Sequence, residues 1–485
     1  MNTRWTGPRL WRRGRPNRLM GWQCTRLRTA GNRHQTRGTA MTTPTSTYIA
    51  GWRRLGLPAW LYLLHAGLLT SSLAMSYLVF NLAVVALDAP PIALLGLELE
   101  LLGILGSLSI LTAMVAALPL LWFVTRVGFW WPLVANALLQ AGSVGVITLS
   151  FTPAALICSA ILTGIGGALF QLSSVPFISR ISDDTTRDHL FSANFAANIA
   201  LAGLGSLVAG SVAVGAARLL AVPPGSLPAY QVVFAVATLL LLLSVGPLFL
   251  LRRVAATPAR VVAPPAATVA AAVAPVDTWW ARLVARLPLA RLVPEPWYSL
   301  LLRPWQLLRF MVAPFLTSCG AALLIPYLNL FFTQRFDVAD DTLGIIIATL
   351  GLSAGIAALL GPLISVRLGT MQTIVLVQTL SLPFLVLLSI TPLLWVAVGA
   401  ALLRQGLFNM SSPLYDAFAM SHSDEALRPT VVAAINGAFA SAYLVMPLIS
   451  TRVQALYGFG PLFVATGIFY TLAIIANILI FLRRR

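Results

Sequence analysis

Lysine is absent from this 485-residue chain, so all 32 basic residues are Arg. Charge of either sign is scarce: charged residues make up 9% of the chain and apolar residues 58%, against about 25% and roughly 45–50% in soluble domains. With a mean hydropathy of +0.86, such a chain has too little polar surface to cover a water-facing exterior. That excludes the roughly two or three soluble domains its length would otherwise suggest. The chain reads as a polytopic membrane protein. Cysteine is also rare. Cys24, Cys158 and Cys319 have no metal-ligand spacing and make no disulfide framework. The missing lysine also removes the phosphate-binding Gly-x-x-x-x-Gly-Lys loop, and there is no His-Glu-x-x-His zinc helix. No enzyme and no cofactor is expected.

Acids are missing from residues 1–54, which hold 12 of the 32 Arg, so +12 of the formal +18 lies in this tail. The remaining body is nearly balanced, and nucleic acid is not an expected partner. Residues 1–40 lack an apolar h-region, which excludes a secretory signal peptide. They read as an organellar transit peptide or as translated upstream sequence with Met41 as the start. Arg without Lys, beside much Ala, Gly and Pro, fits a GC-rich bacterial genome and favours the second. Residues 1–52 are expected to be a disordered Arg-rich leader, which a start at Met41 would make non-native over 1–40.

What is abundant is apolar sequence in long runs. A bilayer-crossing helix needs about 20 residues. Twelve runs qualify, near 58–84, 97–122, 130–150, 154–178, 190–217, 229–251, 308–332, 341–364, 372–390, 393–418, 431–450 and 459–482. Without water to bind backbone groups in the membrane, the fold is all-α. Between spans six and seven runs the one long connection, 252–307. Its Ala/Pro/Val-rich first part reads as flexible. Its second part sets Trp279, Trp280, Leu283, Val284 and Leu287 against Arg282 and Arg286, the pattern of an amphipathic helix at the membrane surface.

Orientation follows from Arg placement. From Met41 onward there are 22 Arg, and a cytoplasmic N-terminus puts 18 of them inside and only Arg218, Arg335 and Arg452 outside. Arg404 lies within a span. Both termini are expected in the cytoplasm.

The two sets of six spans repeat each other. Thr125-Arg126-Val127-Gly128 recurs 241 residues on as Val366-Arg367-Leu368-Gly369. Leu169-Phe170-Gln171-Leu172-Ser173-Ser174 recurs 238 residues on as Leu407-Phe408-Asn409-Met410-Ser411-Ser412. Each match keeps its place and membrane side, so the repeat is parallel. An N-terminal bundle over 53–251 and a C-terminal bundle over 308–485 follow.

This arrangement resembles the Major Facilitator Superfamily over roughly 55–485, with an Arg-x-Gly element in both the 2–3 and 8–9 turns. The resemblance implies two six-helix bundles rocking about a central cavity between spans one, four, seven and ten, flanked by five, eight and eleven. It implies a cytoplasmic gate at Arg126, Gly128, Arg367 and Gly369. The family's gate carboxylate is replaced by Thr125 and Val366, and its antiporter motif is eroded to Gly205-Ser206-Leu207-Val208-Ala209-Gly210.

Polar groups inside spans are costly and therefore informative. Arg404 sits near the middle of span ten. Its nearest acid in that span, Asp416, is twelve residues or about 18 Å along the helix. A guanidinium without a protein counter-ion suits an anionic substrate group; the alternative is a structural role, bonded to carbonyls, Gln or Asn. Gln405, Asn409, Asn198 and Asn436 are candidates to orient the solute. Ser72 and Ser76 are candidates on one face of span one, although small polar residues also serve helix packing. His65, on that face, is a candidate proton relay, or a packing histidine. Glu98 and Glu100, read as helical, would face different sides.

The expected function is secondary active transport of a small solute, anionic or polar, across the plasma (inner) membrane by alternating access. Efflux of amphiphilic drugs or metabolites is one alternative; a sensor or scaffold with a transporter-like fold is another. The lipid bilayer is the expected surrounding, and a monomer is the family default.

Overall fold

The computed structural model describes residues 55–94, 96–183, 186–254, 304–423 and 428–483. The expected leader over 1–52 and the amphipathic linker helix lie outside these residues. Six N-half helices are α1 (Leu57–Ala86), α2 (Leu101–Val127), α3 (Trp130–Leu149), α4 (Pro153–Ile181), α5 (Arg187–Leu219) and α6, made of Leu227–Leu243 and Val245–Val254. The C half holds α7 (Pro304–Leu324, a 3-10 turn at Ile325–Tyr327, then Leu328–Phe336), α8 (Asp340–Leu368), α9 (Thr370–Ile390), α10 (Leu394–Ser421), α11 (Arg428–Tyr457) and α12 (Gly460–Asn477, ending in the π turn Ile478–Leu482).

Among the described residues eleven of these helices are long and apolar enough to cross a membrane. The twelfth, α10, has the reach, 28 residues or about 42 Å at 1.5 Å per residue. Arg404, Gln405, Asn409 and Asp416 lower its apolar character. Several starts are set locally: Pro58, Pro153, Pro228 and Pro461 occupy first-turn positions, where a missing N–H costs nothing.

The internal repeat is visible in the packing. In the N half α1 lies on α5 and α6, α4 on α2 and α3, and α3 on α6. Six helices later α7 lies on α11 and α12, α10 on α8 and α9, and α9 on α12. Between the halves α2 packs on α11 and α5 on α8. The second contact needs glycine: a Cβ on Gly344 of α8 would stand 2.6 Å from the Ser206 carbonyl of α5.

The two matched turns share a backbone geometry. Gly128 caps α2 with φ 85° and ψ −177°, and Gly369 caps α8 with φ 89° and ψ 150°. That region is essentially closed to L side chains. Of the two residues kept in both copies, the glycine is the one the chain reversal requires.

One segment departs from the all-α expectation. Ile92–Leu94 and Leu97–Leu99 form a short antiparallel hairpin in register Ile92↔Leu99, so α2 starts at Leu101 rather than near 97. The Leu97-Glu98-Leu99-Glu100 alternation has the period of a strand. In an extended chain residues two apart share a side. Glu98 and Glu100 accordingly both bond Arg452 of α11, the second at 3.1 Å.

This clasp is one of several ties between the halves. Asn81 Nδ2 of α1 donates to the Pro326 carbonyl in the 3-10 turn of α7 at 2.6 Å and to Asn329 Oδ1 at 2.9 Å. Asn329 Nδ2 returns a bond to the Leu78 carbonyl at 2.9 Å. The Tyr77 hydroxyl donates to Pro326 at 3.2 Å, and Tyr230 of α6 donates to Asp340 of α8 at 3.1 Å. All of them lie at the end away from the Gly128 and Gly369 turns. Arg126, Arg180, Arg252, Arg309 and Arg367 mark the other, Arg-rich end.

Three outcomes are expected. Gly369→Ala should destabilise by about 1–3 kcal/mol and lower the thermal midpoint of the purified protein. Gly167→Ala in α4, where an added methyl meets open space, should leave the midpoint at or above wild type. The Glu98→Gln/Glu100→Gln pair removes a partly exposed ion pair worth at most about 1 kcal/mol. It should raise labelling of a cysteine placed at Asn329 by an impermeant maleimide up to about fivefold; unchanged labelling would deny the clasp any part in closure.

Candidate functional site

Helix α10 carries the densest polar face within the membrane. Gln405, Asn409, Ser412 and Asp416 follow at spacings of four, three and four residues, which places them on one side of a helix. Arg404 lies one residue off that face and is only 2% exposed. Its Nη2 donates to the Tyr470 hydroxyl of α12 at 2.6 Å and its Nη1 to Gln405 Oε1 at 3.1 Å. Its Nε has no partner. The guanidinium carbon stands 5.4 Å from the Phe408 ring centre and 5.5 Å from that of Tyr470. Those two rings stack on each other at 4.4 Å. Arg404 is therefore wrapped by aromatic rings, an arrangement that favours a cation over their faces.

Beside this stack lies a cavity of about 310 Å³ bounded by α7, α9, α10, α11 and α12. Its walls include Phe408, Asn409, Asp416, Asn436, Gln378 and Asn477; Arg404 is not among them. The structure thus brings the expected Asn409 and Asn436 together, keeps Arg404 behind Phe408, and adds Asp416. A second hollow of about 380 Å³ lies between α1, α2, α3 and α4 and is closed by Pro326 and Tyr327 of α7. Its polar lining includes Ser76, Gln140 and the hydroxyl cluster of Ser143, Ser159 and Thr163, in which Ser143 Oγ lies 2.8 Å from Ser159 Oγ and 2.7 Å from Thr163 Oγ1. A larger hollow, about 950 Å³, sits at the Arg-rich end among the ends of α7, α9, α10 and α12, away from both polar clusters.

The remaining expected residues are dispersed. The His65 ring nitrogen Nδ1 donates to the Ser244 carbonyl at 2.8 Å, where the two stretches of α6 meet. Its Nε2 is buried without a partner. The ring is fully buried between α1 and α6 and bounds neither polar cavity. Ser72 is fully buried and donates to the Leu68 carbonyl at 2.6 Å; Ser76 donates to Ser72 at 3.1 Å and alone of that face reaches a hollow. Asn198 accepts from the Thr70 hydroxyl at 2.7 Å across α1 and α5. At the Arg-rich end Arg126 lies over the Trp122 ring at 4.7 Å, and Arg367 is exposed beside Val366, which is 87% exposed. Nothing acidic stands at either gate position.

Asp416, Gln378, Asn477 and Tyr470 were not foreseen. The three-and-four spacing from Gln405 to Asp416 marks the first. The 238-residue offset of the repeat marks the second, since it also pairs Gln140 of α3 with Gln378 of α9. The tie from Tyr470 to Arg404 spans 66 residues and has no local signal. Gly351-Leu352-Ser353-Ala354-Gly355 matches the spacing of a hydrolase elbow, but it lies inside α8, and Ser353 donates to the Leu402 carbonyl of α10 at 2.8 Å. It is a helix-packing contact.

Two six-helix halves in parallel repeat, with polar cavities buried among apolar spans, define a polytopic membrane transporter rather than an enzyme. The sequence matches the Major Facilitator Superfamily over residues 69–447, and the chain belongs to that family. Solved structures with the same fold include an auto-inhibited POT family peptide transporter (TM-score 0.64, 16% identity, 88% of this chain and 97% of that one). A bacterial homologue of the iron transporter ferroportin in an inward-facing state is similar at TM-score 0.63 and 14% identity, over 87% of this chain and 98% of that one. The nucleoside transporter NupG is similar at TM-score 0.59 and 14% identity, over 88% of this chain and all of that one. No curated protein matches the sequence.

The Arg404 tie is open to a double-mutant cycle. Tyr470→Phe leaves a buried guanidinium one acceptor short, at a cost of about 1.5–3 kcal/mol. The thermal midpoint should fall in Tyr470→Phe and in Arg404→Met, and the double variant should fall by less than the sum. Additive losses would show that the two side chains act independently.

Proposed function

We propose that this chain is a secondary transporter of the plasma membrane that carries a small polar solute by alternating access, with both termini in the cytoplasm. The observation that carries the proposal is the one-ended tie between the halves. Tyr77, Asn81, Asn329, Tyr230 and the Glu98/Glu100–Arg452 clasp all join them at the end away from the Gly128 and Gly369 turns. Each is a hydrogen bond or exposed ion pair, reversible at a cost of about 1 kcal/mol. The placement of Arg between spans puts that end outside. The solute site then faces the cytoplasm in this conformation. Asn409 and Asn436 orient the solute in the C-half cavity, and Arg404 with Tyr470 braces its Phe408 wall. Arg126, Gly128, Arg367 and Gly369 form the cytoplasmic gate.

A second reading keeps Arg404 as the grip for an anionic group. It is favoured by the unpartnered Nε and by the lack of any ion pair to Arg404 among the described residues. Tyr470 would have to give way to the solute. His65, fully buried and bonded to the Ser244 carbonyl, serves helix packing in either reading, and its unpartnered Nε2 is what a proton relay would use. The 380 Å³ hollow of the N half suits the apolar part of an amphiphile and is what an efflux role would use.

Thermal stability against anionic, neutral and cationic solutes separates these readings, because a ligand that binds the folded state raises the midpoint by mass action. Asn436→Leu should abolish solute-dependent stabilisation while leaving the ligand-free midpoint unchanged, since Asn436 is exposed in the cavity. Stabilisation by anions alone, lost in Arg404→Ala, would replace the first reading by the second. Solute flux into proteoliposomes is the test of transport itself; binding without flux of any solute would make the protein a sensor.

A further inference from the structure

We infer that the C-half cavity recognises a protonated amine, with its ammonium at Asp416 and further N–H or O–H donors directed at the amides deeper in. This rests on the proposal that the cavity is the substrate site, and it names the chemical class the site selects.

The basis is the hydrogen-bonding capacity left over on the cavity wall. Asp416 is exposed there, with no hydrogen bond or ion pair to any described residue. Asn409 donates its amide N–H to the Gln405 carbonyl at 2.9 Å, which leaves its oxygen unused. Gln378 is oriented by a similar constraint. Its Nε2 lies 3.2 Å from the Ser411 hydroxyl, and that hydroxyl donates its own proton to the Phe408 carbonyl at 2.7 Å. Ser411 can therefore only accept from Gln378, and the Gln378 oxygen is the atom left over. That oxygen is buried and has no partner, and so is Asn477 Oδ1. Gln378 is 6% exposed and Asn477 1%, so neither is satisfied by open water. The Tyr415 hydroxyl, a possible donor, is already engaged with the Phe310 carbonyl at 3.0 Å.

The cavity is thus lined by one carboxylate, by the amides of Gln378, Asn409, Asn436 and Asn477 and by a few hydroxyls, and no Arg or His lines it. A carboxylate or phosphate solute would be repelled by Asp416 and would meet no cation on the cavity wall, whereas an ammonium has three N–H donors and no acceptor and can bond both the carboxylate and the amide oxygens. Phe408 and Phe439 add ring faces that attract a cation. The charge of Arg404 does not oppose this strongly. It lies twelve residues from Asp416, about 18 Å along α10, on the far side of the Phe408 and Tyr470 stack. Asp416 is five residues from the end of α10 at Ser421, about 8 Å from the Arg-rich end. An amine arriving from that end meets the carboxylate at about the depth of Asn477, with Asn409 two turns further in along α10.

The test uses three solutes of one shape: 2-phenylethylammonium, 2-phenylethanol and 3-phenylpropionate. The full chain in detergent is titrated with each, and the thermal midpoint gives the affinity. The amine should stabilise wild type, the alcohol and the acid should not. Asp416→Asn should weaken the amine by about tenfold or more, the scale of one hydrogen bond to a charged group. Asp416→Glu should retain binding, which guards against a fold defect in the amide variant. The inference is overturned if 3-phenylpropionate stabilises wild type in place of the amine, or if a folded Asp416→Asn binds the amine as wild type does. Proteoliposome flux keeps the two proposals apart. Amine binding with no flux would leave the site standing and remove transport. Flux of another solute, unaffected by Asp416→Asn and not competed by the amine, would leave transport standing and remove the amine site.

Discussion

Inside a bilayer a backbone N–H or C=O has no water to bond, so every one of them must be satisfied within its own helix. Most of this structure follows from that constraint. It makes the twelve spans helical, keeps the strands found among the described residues in the connection between α1 and α2, and leaves side chains as the means of building a polar site. It also explains why polar groups collect on particular surfaces. Serine and threonine hydroxyls mostly return to a carbonyl three or four residues back, as Ser72, Ser173 and Thr451 do. The amides and the few charges cannot be absorbed that way. Several of them are found where the two halves meet or where a cavity opens.

The ends of the molecule are unequal for the same reason. At one end, carbonyls and amides from α1 and α7 complete each other across the halves, helped by the 3-10 turn that presents Pro326. At the other, Thr125 and Val366 stand where an acid would be needed to engage Arg126 or Arg367, and Arg126 rests on Trp122 instead. Closure at the first end is written into specific bonds. At the second the matched turns keep their glycines for backbone geometry alone.

Much of this was legible in the amino-acid order. Span count, the two-half division and the paired Gly128 and Gly369 turns follow from hydropathy and from an offset repeat, because both are one-dimensional properties. Glu98 and Glu100 read as helical because the apolar run of α2 extends through them; the alternation with Leu97 and Leu99 is the better guide. The twelve-residue distance of Asp416 from Arg404 masks the face it shares with Asn409. Tyr470 was out of reach of any such reading. Its meeting with Arg404 depends on how α12 packs against its neighbours, and no spacing in the chain encodes it. Sequence order thus gave the scaffold and two of the cavity's amides, while which polar atoms remain unused was decided by tertiary contacts.

The Arg404, Phe408 and Tyr470 stack has a mechanical consequence. A guanidinium bonded at 2.6 Å to a phenol and flanked by two rings at 5.4 and 5.5 Å is a rivet between α10 and α12. Because Phe408 is also a wall of the cavity, a turn of α10 about its axis pulls on α12 for as long as the bond to Tyr470 holds. Pressure on that ring is delivered to a helix that has few polar groups of its own. A helix of that kind is well suited to sliding against lipid as one stiff piece.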